Sequence, residues 1–425
     1  MIMTAKAFAD ENLPPHLQEM AERMNTLAGN IPPWEVPGMP FAGKTSPGVF
    51  LNESREKLKQ PFYDHVFGKI PPRCEELLIR KIAEKTAFQG LAIRREIDIV
   101  CRHKGMEQIF HLLCYIPAKR KKKVPVFLGL NFGGNHGTTL DPEVPFYPFT
   151  PYPSLIPGSL RWKDRRFTEE ERGKQAHRWV FEKVLKAGFA SATINYYDIF
   201  PDHPHGFPES IMRFFYTERE WESPDRDSGA ISAWAWGLMR AIDALETQEE
   251  LDMSRLIVHG HSRLGKTALW AGANDPRIAM TVANGSGAGG AKLMHHYFGE
   301  NFEWLHYWNN YWFRGNFHEL IGKDESIPWD FHYLLASIAP RLVYVADGKD
   351  DVYADAVGEY LACKEASKAW EIFGASGIGE DPYPAPGSIA GKEIGFFLRH
   401  GEHDFTPENW DALLGFARLH FPEEE

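Results

Sequence analysis

Residues 257–273 contain a serine in a setting that can make it a nucleophile. An apolar run ends at Gly260, Ser262 follows, and from Leu264 onward the apolar residues recur at helical spacing. This order predicts a strand, a sharp turn and a helix, with the hydroxyl of Ser262 lifted away from its strand. The pattern, G-x-S-R-x-G-K, departs from the usual G-x-S-x-G because the second glycine, Gly265, comes one residue late. A serine that only caps the helix is the alternative.

A serine hydroxyl needs an adjacent base, which is itself oriented by a third group. In a sheet with this kind of turn, the acid follows a late strand and the histidine follows the last strand. Asp351 comes after the predicted strand at 342–346, and His403 comes after the predicted strand at 394–398. We therefore predict that Ser262, Asp351 and His403 are nucleophile, orienting acid and base.

Both of the later roles have competitors. His400 lies closer to the end of its strand than His403, so His403 is the favoured base. Three further aspartates lie near Asp351, and most loop aspartates are turn or cap residues. The competing acids are Asp347, Asp350 and Asp355.

Two cationic residues follow the serine. A guanidinium beside the nucleophile, as Arg263 supplies, can place positive charge and N–H donors where a tetrahedral oxyanion forms. Lys266 lies one helical turn from Ser262 and is expected to point toward the same opening of the predicted active site. The alternative for both is an ordinary surface charge.

The surrounding elements alternate between strand and helix. This alternation predicts an α/β fold with a mostly parallel central sheet flanked by helices on both faces. Besides the elements around the serine, predicted strands lie at about 93–102, 109–116, 124–131, 189–196 and 278–283. Predicted helices lie at about 173–186, 229–247, 329–337, 355–369 and 408–420.

We predict one catalytic domain over residues 91–425 and an N-terminal arm over residues 1–90, packed on the body. Proline interrupts most of the first 50 residues, which favours loop structure. Two insertions are predicted near 136–172 and 291–327, both rich in aromatic residues. The second is either a platform for sugar rings or a cap filled by its own side chains.

The 425-residue chain has a formal net charge of −11 and an ordinary globular composition. This balance argues against nucleic acid as a partner, and we interpret the basic run at 119–123 as a solvated turn. The four cysteines show no C-x-x-C spacing, so we expect no zinc or redox site. No apolar run reaches the ~18 residues of a membrane span. The first residues lack the apolar core of a signal peptide, and the compartment stays open.

Seven stretches of the chain together resemble the glucuronoyl esterases of carbohydrate esterase family 15, within the α/β-hydrolase superfamily. The resemblance covers about residues 90–421, and its G-x-S-R-x-G-K element is specific. The matching stretches are 172–179, 196–202, 233–237, 260–268, 286–290, 339–341 and 403–407.

The resemblance implies hydrolysis of esters of 4-O-methyl-glucuronic acid in glucuronoxylan, linked to lignin alcohols, with no metal or cofactor. It also implies a secreted or periplasmic location, and we separately expect a monomer. The partner is then a glucuronate ester of plant cell-wall polysaccharide, without nucleic acid or membrane. The implied roles are nucleophile for Ser262, base for His403, oxyanion stabiliser for Arg263, and sugar binding for Lys266 and Glu300.

Three positions depart from the family pattern. Many members carry the triad glutamate where this chain has Gly285, so Asp351, aligned with an aspartate of other bacterial members, becomes the candidate acid. The family's usual tryptophan is replaced by Tyr353, which we expect to contact the sugar. His261 stands where fungal members have a disulfide-bonded cysteine, which indicates the bacterial type.

Two alternatives remain at this point. One is an esterase for acetyl or other acyl groups, although such a pocket does not need charged sugar ligands such as Lys266 and Glu300. The other is a weakly active carbohydrate-binding protein that kept the fold and lost the acid at position 285.

Overall fold

Ten strands in the described residues form one central sheet. A computed structural model describes residues 19–20, 24–41, 45–148 and 168–422 of the chain. The strands are β1 Glu76–Ala87, β2 Ala92–His103, β3 Met106–Pro117, β4 Val124–Asn131, β5 Ala190–Asn195, β6 Leu251–His261, β7 Met280–Asn284, β8 Leu342–Gly348, β9 Ser388–Gly391 and β10 Ile394–Arg399. Their order in the sheet is β1-β2-β3-β5-β4-β6-β7-β8-β10-β9.

The six strands from β5 to β10 in that order are parallel to one another. β1, β2 and β3 extend the sheet in antiparallel fashion next to β5, and β9 closes the other edge antiparallel to β10. Every residue of β4 is buried, as expected for a parallel strand covered on both faces. The predicted mostly parallel sheet is confirmed.

Helices cover both faces of this sheet. They are α1 Arg55–Pro61, α2 Phe181–Lys186, α3 Ala230–Leu245, α4 Arg263–Asn274, α5 Phe302–Asn309, α6 His332–Ala336, α7 Ala356–Ala366 and α8 Pro407–His420, with shorter turns at Pro47–Val49, Glu218–Trp221 and Lys368–Glu371. Val126 and Leu128 of β4 face a large apolar core that includes residues of α3 and α4, while Phe127 faces a second core beneath α8. The result is three layers, helix on sheet on helix.

β1 joins part of the predicted N-terminal arm to the central sheet. Residues 76–87 lie within the range predicted as an arm, yet they pair with β2 along its whole length. The strand lies at the sheet edge and most of its side chains are at least partly exposed. Because many of its residues are charged, its sequence lacks the alternation of apolar and polar residues that marks a half-buried strand.

The helix predicted from residue 173 begins only at Phe181. A 3-10 turn, Ala176–Arg178, precedes it, and Val180 adopts a left-handed conformation with φ 31° between the two. The four-residue strand β9 was not predicted, because it is too short to show a periodic pattern. In the described ranges, no helix has the length and apolar character needed to cross a bilayer.

The second predicted insertion contains α5 and two 3-10 turns, Asn310–Trp312 and Gly315–Leu320. Most of its aromatic rings are buried, which favours a cap filled by its own side chains, although Tyr307 is 57% exposed. Much of the first insertion, residues 149–167, falls outside the described residues.

Candidate active site

Ser262 lies at a strained turn between β6 and α4. Its backbone has φ 57° and ψ −128°, a conformation that costs energy for any residue other than glycine. Its N–H donates to the carbonyl of Asn284 on the neighbouring strand at 2.8 Å, which holds the turn in place. A Cβ at Gly260 would overlap the carbonyl of Leu264, so only glycine permits the helix to start this close to its strand. The predicted strand, turn and helix are all present.

Asp351 and His403 are in contact at the same edge of the sheet. They lie on the loops after β8 and β10, and His403 Nδ1 is hydrogen-bonded to Asp351 Oδ2. The N–H of Ala354 donates to the other oxygen of Asp351 at 3.2 Å. The Asp351 side chain is 1% exposed, whereas His403 is 42% exposed and open to a substrate. The carboxylate can therefore orient an imidazole that remains accessible.

The competing histidine lies apart from this pair. His400 Nδ1 is 2.8 Å from Glu408 Oε1 at the start of α8, and its side chain is 61% exposed. A histidine bound to a surface glutamate cannot at the same time be oriented by Asp351.

Two of the competing aspartates have other partners. Asp350 is exposed and forms an ion pair with its neighbour Lys349. Asp355 caps α7 by accepting from the N–H of Gly358 at 2.9 Å, and its other oxygen lies 2.7 Å from His296 Nδ1. Both are the turn and cap residues that loop aspartates usually are.

The remaining competitor, Asp347, lies behind Asp351. Burial and then the proximity of Asp351 raise the pKa of Asp347 well above its usual value. Burial would also raise the pKa of Asp351, but His403 and the hydrogen bonds to this carboxylate outweigh it and lower the pKa of Asp351. The pKa values of the two neighbouring acids thus shift in opposite directions, and the acid with the lowered pKa contacts the imidazole.

His261 packs against the exposed histidine and was not predicted to have any role. Its ring centroid lies 4.5 Å from that of His403, and its Nδ1 lies 2.8 Å from Asn284 Nδ2. Burial, and next the proximity of His403, lower the pKa of His261 well below its usual value. His261 is therefore a neutral ring that limits how His403 can tilt.

Gly285 leaves room for the imidazole. Its φ is 51°, in the left-handed region, and a Cβ there would lie 3.1 Å from both Cε1 and Nδ1 of His403. The same Cβ would lie 3.5 Å from Asp347 Oδ1. A side chain at this position would crowd the imidazole and strain the backbone.

The guanidinium of Arg263 is held on three sides. It lies 4.7 Å from the ring centroid of Trp312 and 5.7 Å from that of Phe132, and it forms an ion pair with Asp202. The buried Asp202 also accepts hydrogen bonds from Trp312 Nε1 and Tyr311, each at 2.7 Å. Arg263 is thus a fixed positive charge next to Ser262 rather than a mobile surface residue.

Lys266 is buried on α4, one turn from Ser262. Its Nζ donates to the carbonyl of Ser286 at 2.6 Å. Burial lowers the pKa of Lys266, and the charge of Glu300 opposes this shift. The ammonium therefore faces the glycine-rich segment 286–290 and the Glu300 carboxylate rather than bulk water.

Glu300 and Tyr353 meet on the other side of that segment. The N–H of Glu300 donates to the carbonyl of Tyr353 at 2.9 Å. Glu300 Oε2 lies 3.5 Å from the place a Cβ on Gly287 would occupy. Burial and Glu300 raise the pKa of Tyr353, so its phenol stays neutral. All three residues expected to bind substrate therefore lie, like Ser262, at the carboxyl ends of the parallel strands.

The N-terminal segment fastens the loop that carries Glu300. Asn25 Nδ2 donates to the carbonyl of Tyr297 at 2.7 Å, and the carbonyl of Asn25 accepts from the N–H of Gly299 at 2.7 Å. Lys292 Nζ donates to the carbonyl of Glu300 at 2.6 Å. The loop is therefore held by contacts that no sequence pattern indicated.

Glu359 binds the start of the glycine-rich segment 286–290. This fully buried residue of α7 accepts from Ser286 Oγ at 2.8 Å and from the N–H of Gly287 at 2.7 Å. Burial raises the pKa of Glu359 to about 8. Sequence reasoning missed Glu359 as well as Asp202, although the stretch 196–202, which ends at Asp202, was among those matching the family.

Within the described residues, no group of three or more histidine, cysteine, aspartate or glutamate side chains could hold a metal ion. The four cysteines, Cys74, Cys101, Cys114 and Cys363, are not in disulfide bonds.

Comparison with known proteins finds relatives that are all described as carbohydrate or glucuronoyl esterases. A family model described as glucuronyl esterase, fungi, matches residues 214–374. Carbohydrate esterase MZ0003, from an unknown prokaryotic organism, is 36% identical over 384 residues, which cover 88% of this chain and 86% of that protein. A 4-O-methyl-glucuronoyl methylesterase of Podospora anserina is 36% identical over 188 residues, covering 40% of this chain and 39% of that protein.

Solved structures agree with the sequence relatives. A glucuronoyl esterase from Solibacter usitatus is 33% identical with a TM-score of 0.85, covering 92% of this chain and 99% of that one. A structure described as a promiscuous CE15 esterase from a marine bacterial metagenome is 34% identical with a TM-score of 0.83, covering 93% and 100%. These similarities confirm the α/β-hydrolase fold.

Proposed function

The chain belongs to carbohydrate esterase family 15 and is a carboxylic ester hydrolase, and we propose that it cleaves esters of (4-O-methyl-)glucuronic acid in glucuronoxylan. The alcohols released include those of lignin–carbohydrate esters. The proposed reaction proceeds through a glucuronoyl-serine intermediate on Ser262.

One observation carries this proposal. The contact between His403 and Asp351 lies at the same sheet edge as the strained turn of Ser262, and the charged pair Lys266 and Glu300 lies beside it. A nucleophile with an oriented base suits ester hydrolysis, and a neighbouring charged pair suits a hydroxyl-rich acyl group.

In the acylation step, Ser262 Oγ attacks the carbonyl carbon of the uronate ester while His403 accepts the hydroxyl proton. Asp351 holds the ring in the required tautomer and stabilises the imidazolium that forms. The tetrahedral intermediate then collapses, and His403 gives the proton to the departing alcohol oxygen.

Arg263 supplies the positive charge for the oxyanion of that intermediate. Its ion pair with Asp202 and its position against Trp312 fix the guanidinium before the substrate arrives. A donor fixed in advance needs no reorganisation as charge develops, and removal of one such donor typically costs about 10²–10³-fold in kcat.

In the deacylation step, water attacks the glucuronoyl-serine carbonyl while His403 accepts a proton from it. Collapse of the second tetrahedral intermediate releases glucuronic acid, which then ionises in water, and His403 returns its proton to Ser262 Oγ. Every proton is accounted for by His403, so neither step requires a metal or a cofactor.

The sugar is bound on the other side of Ser262. Lys266 and Glu300 carry donors and acceptors suited to the hydroxyls of a uronate, and Tyr353 offers a ring with a neutral polar tip. Because tyrosine is smaller than the tryptophan usual in the family, we expect the preferred ester to differ from that of typical members.

The test compares benzyl glucuronate with an acetyl ester of matched leaving group, using the wild type, Ser262→Ala and the control Ser254→Ala. Ser254 is an exposed serine on the same strand, β6. We expect strong preference for the glucuronate ester, its loss in Ser262→Ala, and no change in Ser254→Ala.

Other outcomes would redirect the assignment. Preference for the acetyl ester would indicate a different acyl substrate. Binding of glucuronate without hydrolysis of either ester would indicate a carbohydrate-binding protein, and hydrolysis retained in Ser262→Ala would exclude the serine mechanism.

A further inference from the structure

Three carboxyl groups are buried together behind His403. Asp347 at the end of β8, Asp351 on the following loop and Glu359 on α7 are all at most 5% exposed. Buried like charges repel one another strongly, so the three groups cannot all be ionised. The protons they retain must lie at particular oxygens.

The hydrogen bonds around Asp347 identify one such oxygen. Asp347 Oδ1 accepts from the N–H of Gly348 at 2.7 Å. Its Oδ2 is buried and receives no hydrogen bond from any donor in the described part of the chain, and burial, followed by the neighbouring Asp351 carboxyl, raises the pKa of Asp347. Two carboxyl groups can bond to each other only if one carries a proton.

Asp351 is the partner that does not carry it. Its Oδ2 is bonded to His403 Nδ1 and its Oδ1 accepts from the N–H of Ala354. These are the surroundings of an ionised carboxylate, and a proton on Asp351 would weaken its pairing with a protonated His403.

We propose that Asp347 is a positioning residue whose protonated carboxyl donates a hydrogen bond to Asp351 and so fixes that carboxylate against His403. Asp347 does not touch the substrate; it acts through Asp351. The inference rests on the proposed function in one respect only, that His403 is the base of the reaction.

Other charged and titratable groups also surround Asp347. Glu359 approaches from α7, and its charge opposes ionisation of Asp347. Tyr383 also lies near Asp347, and burial is the main cause of the raised pKa of its phenol. Arg399 of β10 lies close to Gly348, but its guanidinium donates to the backbone carbonyls of 400, 402 and 404.

The two decisive variants separate the charge of Asp347 from its role as a donor. Asp347→Asn keeps a group that can donate to Asp351 and an oxygen that can accept from Gly348, and it is always neutral. Asp347→Leu has similar size and cannot donate. The control is Asp350→Asn, which changes the exposed neighbouring acid.

The primary readout is the pKa of His403, measured by NMR titration of protein carrying ¹³C-labelled histidine, with His403→Gln used to assign the signal. In Asp347→Asn we expect this pKa to be unchanged, because one neutral group replaces another. In Asp347→Leu we expect it to rise by about half a unit, because the negative charge of Asp351 is no longer shared with a donor.

Kinetics provide the second readout. On benzyl glucuronate we expect Asp347→Asn to retain kcat/KM within about threefold, and Asp347→Leu to lose about 10–100-fold, the range for a hydrogen bond to a charged group. The acid limb of the kcat/KM profile should move upward in pH in Asp347→Leu alone. A purely structural role would lower activity without moving this limb.

A fall in the His403 pKa in Asp347→Asn would overturn the proposal, because it would show that Asp347 is charged in the wild type. An unchanged His403 pKa in a folded Asp347→Leu would overturn the donor role. Asp347→Asn alone decides the protonation state if Asp347→Leu does not fold. Since the NMR readout needs no turnover, failure of the proposed esterase function would be recognised separately.

Discussion

The proposed catalytic side and the proposed sugar-binding side of the site are held by different kinds of structure. Asp351 and His403 follow parallel strands whose positions the sheet determines, and buried carboxyl groups support them from behind. Glu300 lies on the insertion 291–327, is joined by a backbone hydrogen bond to Tyr353, and sits on a loop fastened by the N-terminal segment. The first side has rigid support, whereas the second depends on a few local contacts.

This difference indicates where the enzyme can change its specificity. Residues placed by adjacent strands cannot move without disturbing the sheet, so the reaction chemistry is tied to the fold. Residues placed by an insertion can be moved by changes in that insertion, so substrate preference can vary while the chemistry stays the same.

The largest expected effect tests the catalytic side. Asp351→Asn should reduce kcat by about 10⁴-fold with little change in KM, since a histidine in the wrong tautomer costs this much in a comparable triad. Steady-state kinetics on benzyl glucuronate measure it, with Asp350→Asn as the matched control. If Asp350→Asn were the variant that lost activity, the orienting acid would have to be reassigned.

On the sugar-binding side, Glu300→Gln should act mainly on binding. We expect KM to rise by about tenfold with a smaller change in kcat, because the neutral amide loses the charge component of its hydrogen bonds. The control is Glu319→Gln, an exposed acid on the same insertion. An effect on kcat alone would assign Glu300 a role in the reaction itself and would contradict the division into a catalytic and a sugar-binding side.

Glu359 lies between the two sides and gives a prediction about stability and pH. Its pKa is about 8 in the folded protein and close to 4.5 when unfolded, so the folded state binds more protons between these values. Wild-type stability should therefore fall as pH rises from about 4.5 to about 8 through this group. Glu359→Gln lacks this contribution.

The measurement is the melting temperature of both proteins at pH 5 and pH 8. Relative to the wild type, Glu359→Gln should gain about 2 °C or more between the two pH values. Glu365→Gln, on the same helix, should show no such gain. Parallel behaviour of wild type and Glu359→Gln would mean that Glu359 is ionised when buried.

The smallest expected effect concerns the N-terminal segment. Asn25→Ala removes the side-chain hydrogen bond to the carbonyl of Tyr297, a contribution of about 1 kcal/mol. We expect KM to rise by about fivefold and kcat to stay the same, because the loop of Glu300 loosens while His403 is unaffected. Asn30→Ala, an exposed residue of the same segment, is the control, and equal effects of the two variants would argue against a specific contact.

Sequence reasoning located the proposed catalytic residues because their positions follow from local rules. Gly260 and Ser262 mark a strand, turn and helix, and the carboxyl ends of parallel strands meet at one edge. Asp351 and His403 were therefore expected near Ser262, and their mutual hydrogen bond agrees with this expectation.

The residues that support them could not be found in this way. Asp202 holds Arg263 across 61 positions of the chain, and Ser286 reaches Glu359 across 73. Strand β1 was also missed, because at a sheet edge its half-exposed, charged sequence resembles that of a loop.

The amino-acid sequence by itself determined the fold class, the strained turn and the order of the elements, since these depend on periodicity and on the backbone freedom of individual glycines. Only the tertiary structure decided which aspartate contacts His403, which acids are buried and what fastens Glu300. The physical reason is that burial and charge interaction depend on distance in space, and groups far apart in the chain come within a few ångströms only when the sheet and its helices have packed.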